Sequence, residues 1–537
     1  MVVSIYLNHK KKDNMFTTSR RGFIAGAASA SALGAFGQAA NICTGCCGKI
    51  RLAAVGVMGK GYSDWMPMVK SGLAELVAWC DADANKRVDA INHKNTKKIP
   101  GLAEKLAKVP FYTDYRKMLD DQSKLQIQAM TVSTPDHMHA AVAVRAMKMG
   151  IHVYVQKPLV RTIWEAHQFF DAAKANNVVT QMGNQGSGGD GFRRNVEIVQ
   201  SGILGDVTEV HVWTNRPIWP QGFTAMKAAT TREVVAVPPG LDWNAWLGVA
   251  AGRPYRKPYD KGTPEARFNT GIFHAFNWRG YFDFGAGAFG DMACHTMNLP
   301  FRGLELGVVT DAECTQIEEA NDVAYPTKST VKLTYAARES RVRPGVKLPE
   351  VKLYWYDGDQ QKDGDKKLAD LMPAVVAMPQ YAGKVPRTGC LIVGSKGILC
   401  SCADYGQQAF IALKGEKVAK DVKDHEACKV IPVRIPRRTD AAAGGMDKSS
   451  GAASLAADGH YIEFLDAIMG KGPVFGCTHS RAYADVEYSI PMMEAILVGT
   501  VAQQVPGKLN WCTKNQCFDN AAANTLIKPV IRKGFEF

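Results

Sequence analysis

Between residues 49 and 182, short apolar runs alternate with polar and amphipathic stretches in a strand–helix rhythm. Lys49–Val55 reads as an apolar strand, Gly56–Gly61 as a turn, and the chain through about Lys70 as a helix. Ala74–Cys80 is a second strand ending at Asp81, followed by a helical stretch and a short strand around Val109–Tyr112. A helix containing Tyr115–Leu119 leads to a strand at Gln126–Val132. Asp136–Met149, with apolar positions at Ala140, Val144 and Met147, is predicted helical. Ile151–Pro158 (IHVYVQKP) is a β-favouring run that stops at Gln156, Lys157 and Pro158; a helix over Thr162–Asn176 and a strand at Val178–Gln181 follow. Buried strands each followed by a helix predict an α/β fold with a doubly wound parallel sheet, whose ligands bind at the carboxyl edge.

The pattern then changes. After a Gly-rich loop, Gly183–Gly191, come a helix through Gln200 and a strand at Val207–Thr214. Residues 247–281 read as loop. Asp283–Gly290 carries three glycines, which disfavour a helix interior, so a helix is predicted to start near Asp291 and to kink or end at Pro300. Asp291 and His295 then stand at i and i+4 on one face. Strands Ser329–Leu333 and Val351–Tyr356, a flexible Ala/Gly/Ser-rich loop at Arg437–Gly459 and a helix from about Asp485 to Gln504 complete the outline.

The predicted strand ends carry polar clusters. Gly56-Val57-Met58-Gly59-Lys60-Gly61 follows a strand and opens a helix, as a dinucleotide-binding turn does, although Met58 replaces its middle glycine. Gly59 can let backbone approach a pyrophosphate, whose charge the helix N-terminus stabilises. Asp81, 20 residues after Gly61, is placed to accept hydrogen bonds from an adenine ribose and favours NAD over NADP; Lys86 and Arg87 leave NADP open. Ser133, Thr134 and Pro135 with His139, then Gln156 with Lys157, then Gln181–Asn184 follow the later strands. Singly, each has a structural explanation, such as Asp136 as a helix N-cap; together at one edge they suit a bound dinucleotide.

The order G-x-x-G-x-G, Asp, T-P-x-x-x-H, [EQ]-K-P and D-x-x-x-H resembles the Gfo/Idh/MocA family (glucose–fructose oxidoreductase / inositol dehydrogenase) from about Lys49 to Pro300. The resemblance implies an N-terminal Rossmann domain and a C-terminal α/β domain with a large, mostly antiparallel sheet that mediates homo-oligomerisation. It implies hydride transfer at a sugar or polyol carbon, with Lys157 as the active-site lysine and Asp291 and His295 as the acid/base pair. Gly56, Met58, Gly59, Gly61, Asp81, Ser133, Thr134, Pro135, His139, Gln156, Lys157 and Asn184 are the expected contacts of a tightly held NAD. The domains expected are an export signal and linker over 1–45, a Rossmann domain over 46–182 and a substrate and oligomerisation domain over 183–537.

Carbinol oxidation requires a hydride acceptor, a base for the hydroxyl proton and a cation beside the developing alkoxide. His295 fits the base, Lys157 the cation, and Asp291 a group that orients the ring or binds a second hydroxyl. Gln156 stands where the family has glutamate; a neutral neighbour leaves Lys157 without an adjacent carboxylate, so Gln156→Glu is expected to move activity to higher pH. Five of the ten tryptophans fall between 213 and 278. Trp213 and Trp278 with Arg216 and Arg279 are the candidate sugar contacts, and no third ligand joins Asp291 and His295 in a metal site. An NAD-retaining glycoside hydrolase and a non-catalytic sugar-binding protein are the alternative readings.

Composition agrees with a globular protein, since 46% apolar and 22% charged residues allow large cores. The formal charge of +14 falls to +10 without residues 1–40, and it forms no basic stripe, so no nucleic-acid partner is expected. Ser19-Arg20-Arg21-Gly22-Phe23-Ile24 before an uncharged Ala/Gly-rich run resembles a twin-arginine export signal, which implies the export machinery as a partner and a periplasmic location. Cys46 after Thr44-Gly45 is a weaker lipidation motif. Thirteen cysteines, an odd number without repeated spacing, leave disulfide pairing open.

Overall fold

The computed structural model describes residues 48–358, 366–437, 452–471 and 481–537. The twin-arginine motif, Cys43, Cys46 and Cys47 lie outside the described residues, as do residues 438–451 of the predicted loop.

Six strands form the first sheet: β1 (Ile50–Val55), β2 (Ala74–Cys80), β3 (Phe111–Tyr112), β4 (Ala129–Val132), β5 (His152–Val155) and β6 (Thr180–Met182). All pair in parallel, in the order β3-β2-β1-β4-β5-β6. The order reverses between β1 and β4, the point where a Rossmann sheet opens its ligand crevice. β1, β4 and β5 are almost wholly buried, which their near-continuous apolar sequences require. Thr162 caps the helix Ile163–Ala175 in a reciprocal capping box with Glu165, so the predicted helix start was legible in its residues.

The second sheet has ten strands. Its strands are β7 (Val207–Trp213), β8 (Val309–Glu318), β9 (Lys328–Tyr335), β12 (Val351–Asp357), β13 (Gly389–Gly394), β14 (Gly397–Ser401), β15 (Phe410–Leu413), β16 (Lys420–Asp421), β17 (Lys508–Cys512) and β18 (Cys517–Phe518). A separate ribbon pairs β10 (Arg338–Glu339) with β11 (Lys347–Leu348). The sheet order is β16-β15-β14-β13-β7-β12-β9-β8-β17-β18, antiparallel except between β7 and β12. The whole is the α/β fold expected: a parallel Rossmann sheet joined to a mostly antiparallel one.

Three local expectations are corrected. The helix carrying Asp291 starts at Gly287, not near Asp291. Its glycines answer crowding rather than helix propensity: a Cβ on Gly287 would meet the Tyr325 ring at 2.5 Å, and one on Gly290 would meet Ala286 Cβ at 2.2 Å. That helix ends at Thr296 before Pro300 is reached, and Pro300 sits inside the next short helix, Asn298–Gly303. Residues 452–459, predicted as loop, begin the helix Ala452–Ile468.

That last helix returns to the first sheet. Tyr461, Phe464, Leu465 and Ile468 share a buried cluster with Ile50, Leu52, Trp65, Trp79 and Tyr154. The helix Val486–Ala502 also packs against both sheets' neighbours, touching the helix Ile163–Ala175, β6, β8 and β9. Two elements nearly 300 residues downstream thus seal the Rossmann core, by burying apolar faces that no nearby segment covers.

Candidate functional site

The glycine turn is held open by its own backbone. Gly56 has φ +80°, and a Cβ there would lie 2.4 Å from Ser133 O; a Cβ on Gly61 would lie 2.0 Å from Gly56 O. Gly56 and Gly61 therefore let β1, the β4 end and the helix Lys60–Lys70 pack closely. Gly59 differs: φ is +61° and nothing lies within 4 Å of its would-be Cβ. Its backbone faces a cavity of about 600 Å³ that runs along the carboxyl edge of the sheet.

Asp81 closes one end of this cavity. Its Oδ2 accepts from Val57 N–H at 3.0 Å and its Oδ1 from Asp83 N–H at 3.0 Å, which fixes the carboxylate. Burial raises its pKa from the ordinary carboxylate value, partly offset by these two hydrogen bonds. Lys86 lines the same end but pairs with Asp83 and Asp89 at 3.6 and 3.2 Å, and Arg87 turns away to Ala107 O. The cation at this end is thus already neutralised. For Asp83, burial alone would raise the pKa, but His274 and Lys86 outweigh it and hold the carboxyl at about 2.

Of the predicted cofactor residues, Gly56, Met58, Gly59, Asp81, Ser133, Thr134, Pro135, Gln156 and Lys157 line the cavity. Thr134 Oγ1 is buried without a partner among the described residues, a polar atom left for a ligand. His139 is corrected: it is fully buried behind the wall, with Nδ1 2.7 Å from Pro158 O and Nε2 2.9 Å from Thr134 O. Its burial depresses its pKa to about 4. Gly61 packs as described, and Asn184, fully buried with its amide unpartnered among the described residues, stands off the cavity wall.

Lys157 spans the gap between the two sheets. Its Nζ donates at 2.8 Å both to Asp291 Oδ1 and to Asp291 O. Arg279 Nε donates to the same Oδ1 at 3.3 Å. Burial would raise the Asp291 pKa, yet Lys157 and Arg279 together hold it at about 2. Asp291 is therefore the counter-ion of Lys157; no hydrogen bond joins it to the His295 ring. One helical turn on, His295 is buried and its Nδ1 has no partner among the described residues. Burial, then the Lys157 charge, depresses its pKa well below 6.5, so the imidazole is neutral.

Gln156 also departs from expectation. Its amide turns away from the Lys157 ammonium and donates to Asp64, at 3.0 Å to Oδ1 and 2.9 Å to Oδ2. The carboxylate beside the Lys157 ammonium is Asp291, from the other sheet's layer, and not a group at position 156.

Beside His295 stands an aromatic group that the sequence did not single out. The Tyr405 ring stands perpendicular to His295, 4.9 Å between centroids, on the loop after β14. Asp404 accepts from Thr388 Oγ1 at 2.6 Å and pairs with Arg216 at 3.6 Å. Arg279 stacks on Trp278 and Phe276, with 4.3 and 4.4 Å to the ring centroids. Trp278 and Arg279 line the cavity; Arg216 stands off its wall. Trp213 is corrected: it lies in β7 with its indole N–H on Pro386 O, packed among Met372, Val375 and Leu391 in a core. His274, Phe276 and Tyr405 sit in loops without periodicity, and no signal in the sequence marked them.

Sheet order, glycine turn and Asp81 define a Rossmann dinucleotide-binding domain. Residues 50–184 match the model of the Gfo/Idh/MocA family, described as an oxidoreductase family with an NAD-binding Rossmann fold. Among curated relatives, levoglucosan dehydrogenase of Pseudarthrobacter phenanthrenivorans is 37% identical over 67 residues, 12% of this chain and 16% of that protein. Glycosyl hydrolase family 109 protein 2 of Akkermansia muciniphila is 28% identical over 166 residues, 30% of this chain and 33% of that protein. The chain thus spans a third or less of these relatives' lengths. The inositol dehydrogenase homolog of Azotobacter vinelandii, solved with NADH and myo-inositol, has a TM-score of 0.52 at 16% identity, over 86% of this chain and 98% of that one. WlbA dehydrogenase of Bordetella pertussis, solved with NADH and UDP-GlcNAcA, has a TM-score of 0.51 at 13% identity, over 86% and 98%. At these identities the likeness is one of fold, and it extends over both sheets.

Proposed function

We propose that the chain is an NAD-dependent oxidoreductase that moves hydride between the nicotinamide and a hydroxyl-bearing carbon of a sugar or glycoside. One observation carries this reading: at the end of a dinucleotide-sized cavity, Lys157 bonds to Asp291 across the seam, one turn from a neutral, buried His295. The bound nicotinamide supplies the hydride acceptor. The hydroxyl proton passes to the free ring nitrogen of His295, which being neutral can take it. The third N–H of Lys157, beyond the two held by Asp291, stabilises the oxygen as charge develops on it. Asp291 keeps this ammonium aimed, and Tyr405, Arg216 and Asp404 orient the remaining hydroxyls. The open backbone of Gly59 and the unpartnered Thr134 hydroxyl suit the dinucleotide, and the fixed carboxylate of Asp81 favours a ribose diol over a 2′-phosphate.

A second reading is an NAD-retaining glycoside hydrolase working by transient oxidation and elimination, favoured by the match to family 109 glycosyl hydrolases. The same residues serve its oxidation half-reaction. A non-catalytic sugar-binding role is the weakest, since it leaves the Lys157–Asp291–His295 group without purpose. The proposal includes export through the twin-arginine route to the periplasm and assembly as a homo-oligomer.

The test is to denature purified protein, identify any released nucleotide, and mix native protein with sugars and aryl glycosides while recording nicotinamide absorbance and aglycone release. Net nicotinamide reduction supports the dehydrogenase, and aglycone release without net redox supports the hydrolase. Absence of any bound or binding nucleotide sinks both.

A further inference from the structure

A fully buried carboxylate, Asp64, lies in the middle of the helix Lys60–Lys70 and belongs to none of the steps above. Four elements converge on it. Lys60 Nζ donates to Oδ1 at 2.8 Å from the first position of the same helix, and Tyr461 O–H donates to Oδ1 at 2.9 Å from the helix Ala452–Ile468. Ser133 Oγ donates to Oδ2 at 2.7 Å from the end of β4, and the Gln156 amide donates to both oxygens from the end of β5. An ionised carboxylate can remain in a fully buried position only when paired and hydrogen-bonded in this way.

The arrangement leaves Gln156 a single orientation. Its Nε2 is spent on Asp64, and its Oε1 accepts from the backbone N–H of Lys157 at 3.3 Å. Gly183 has no side chain to disturb this, since a Cβ there would lie 2.4 Å from Gln156 Nε2. Three of the four side chains that donate to Asp64, those of Lys60, Ser133 and Gln156, belong to residues that line the cavity, as Lys157 does. Tyr461 adds the packing of a distant helix to the same anchor.

We propose that Asp64 is a positioning residue of the cofactor site, and that Asp64 and Gln156 form one carboxylate–amide unit whose two members can be exchanged. The unit needs one negative charge between the helix and the β5 end, to hold Lys60, Ser133 and the backbone at Lys157 in register; which side carries it is secondary. The inference rests on the reading of the cavity as a dinucleotide site.

The groups facing Asp64 that can titrate are Lys60 on its own helix, Tyr461 on the helix Ala452–Ile468, Tyr154 on β5, and His139, which feels its charge from behind the β4 end. Placing a second carboxylate at 156 sets two buried acids about 3 Å apart, and they cannot both ionise, so a proton must be taken up.

The experiment is NADH titration by fluorescence, together with thermal unfolding, at pH 5.5 and 8 for the full chain and its Asp64→Asn, Gln156→Glu and doubly exchanged variants. Gln156→Glu is expected to weaken NADH binding about tenfold or more at pH 8 and clearly less at pH 5.5. Asp64→Asn is expected to weaken binding similarly at both pH values. The double variant, again with one carboxylate and one amide, should return to within about threefold of the parent. A double variant as weak as the worse single one, or a Gln156→Glu protein that binds like the parent at pH 8, overturns the proposal. Should a single variant not fold, Tyr461→Phe serves: it removes one donor to Asp64 and should weaken NADH binding a few-fold in the parent, whereas unchanged binding overturns the role of Asp64 as the anchor. If the parent binds neither NADH nor NADPH, the cofactor reading fails by itself. The thermal midpoints then decide: recovery in the double variant supports the unit, and no recovery overturns it.

Discussion

Lys157 reaches out of the parallel sheet and donates to both the carboxylate and the main-chain carbonyl of Asp291, a residue 134 positions later in the chain. The contact makes one site out of two structural layers, and it divides the roles: Asp291 holds the ammonium, and His295 remains free to exchange a proton. Lys157→Ala should keep the fold and lower kcat by about 10²–10³, the usual loss when a donor to a developing oxyanion is removed. Unchanged kcat would remove Lys157 from the chemistry. Asp291→Asn tests the pair through stability. A folded-state pKa of about 2, below the unfolded value, gives stability that is present above about pH 4 and lost as pH falls through about 2. The stability gap between the parent and Asp291→Asn, on the order of 2 kcal/mol near neutrality, should therefore close over that window in denaturant melts.

His295 is neutral because burial and the Lys157 charge oppose its protonation. The rate should consequently show no acid limb near pH 6.5 belonging to this residue, and kcat/KM should stay level as pH falls from 7.5 to 5.5. His295→Asn should cost about 10²–10⁴ in kcat with little change in the melting temperature. A parent profile that titrates near 6.5 and loses that limb in the variant would show the imidazole to be ordinary and solvated.

Gly59 and Gly61, two residues apart, should fail differently. Gly61→Ala drives a Cβ to 2.0 Å from a backbone oxygen and should prevent a stable fold. Gly59→Ala meets nothing within 4 Å, so it should fold with a strain of about 1 kcal/mol from its positive φ and lose NADH affinity about tenfold or more. Calorimetry and NADH titration of the two variants separate packing from ligand approach.

Asp81→Ser should reduce NADH binding by about ten- to a hundredfold, the range for lost hydrogen bonds to a charged group, and narrow the preference against NADPH. Because Lys86 is paired with Asp83 and Asp89, Lys86→Ala should hardly alter the NADH to NADPH ratio. A strong loss of NADPH binding in Lys86→Ala would contradict the pairing.

Trp213 and Arg216 stand three residues apart in sequence and should behave unlike. Trp213→Ala opens a core between β7 and the 372–391 region and should destabilise by about 3–5 kcal/mol, with expression and melting temperature falling before KM changes. Arg216→Ala should leave stability nearly intact and raise KM for a sugar. If Trp213→Phe changes KM while stability holds, the indole faces substrate after all.

The Rossmann half was legible because its signals are local. A buried parallel strand needs a continuous apolar run, the turn after β1 needs glycine where backbone meets backbone, and Thr162 with Glu165 spells its own helix cap. Lys157, Asp81 and Ser133 could be placed at one sheet edge by counting strands alone. Asp291 and His295 were likewise fixed one turn apart by helical spacing.

What the chain could not state along its length was which group answers which. The amide of Gln156 meets Asp64 rather than Lys157, the His139 ring is wedged between two carbonyls, and Tyr461 reaches Asp64 from 397 residues away. Tyr405 comes to His295 from a loop with no pattern. Sequence by itself determined the strands of the Rossmann sheet, the glycine turn and the identity of the ionisable groups, since these follow from spacing and backbone sterics, whereas only three of the ten strands of the second sheet were marked by it. Only the tertiary structure decided that the lysine at the end of β5 is balanced by an aspartate from the second layer, because buried charges find their partners through burial and distance in space, and neither is set by separation along the chain.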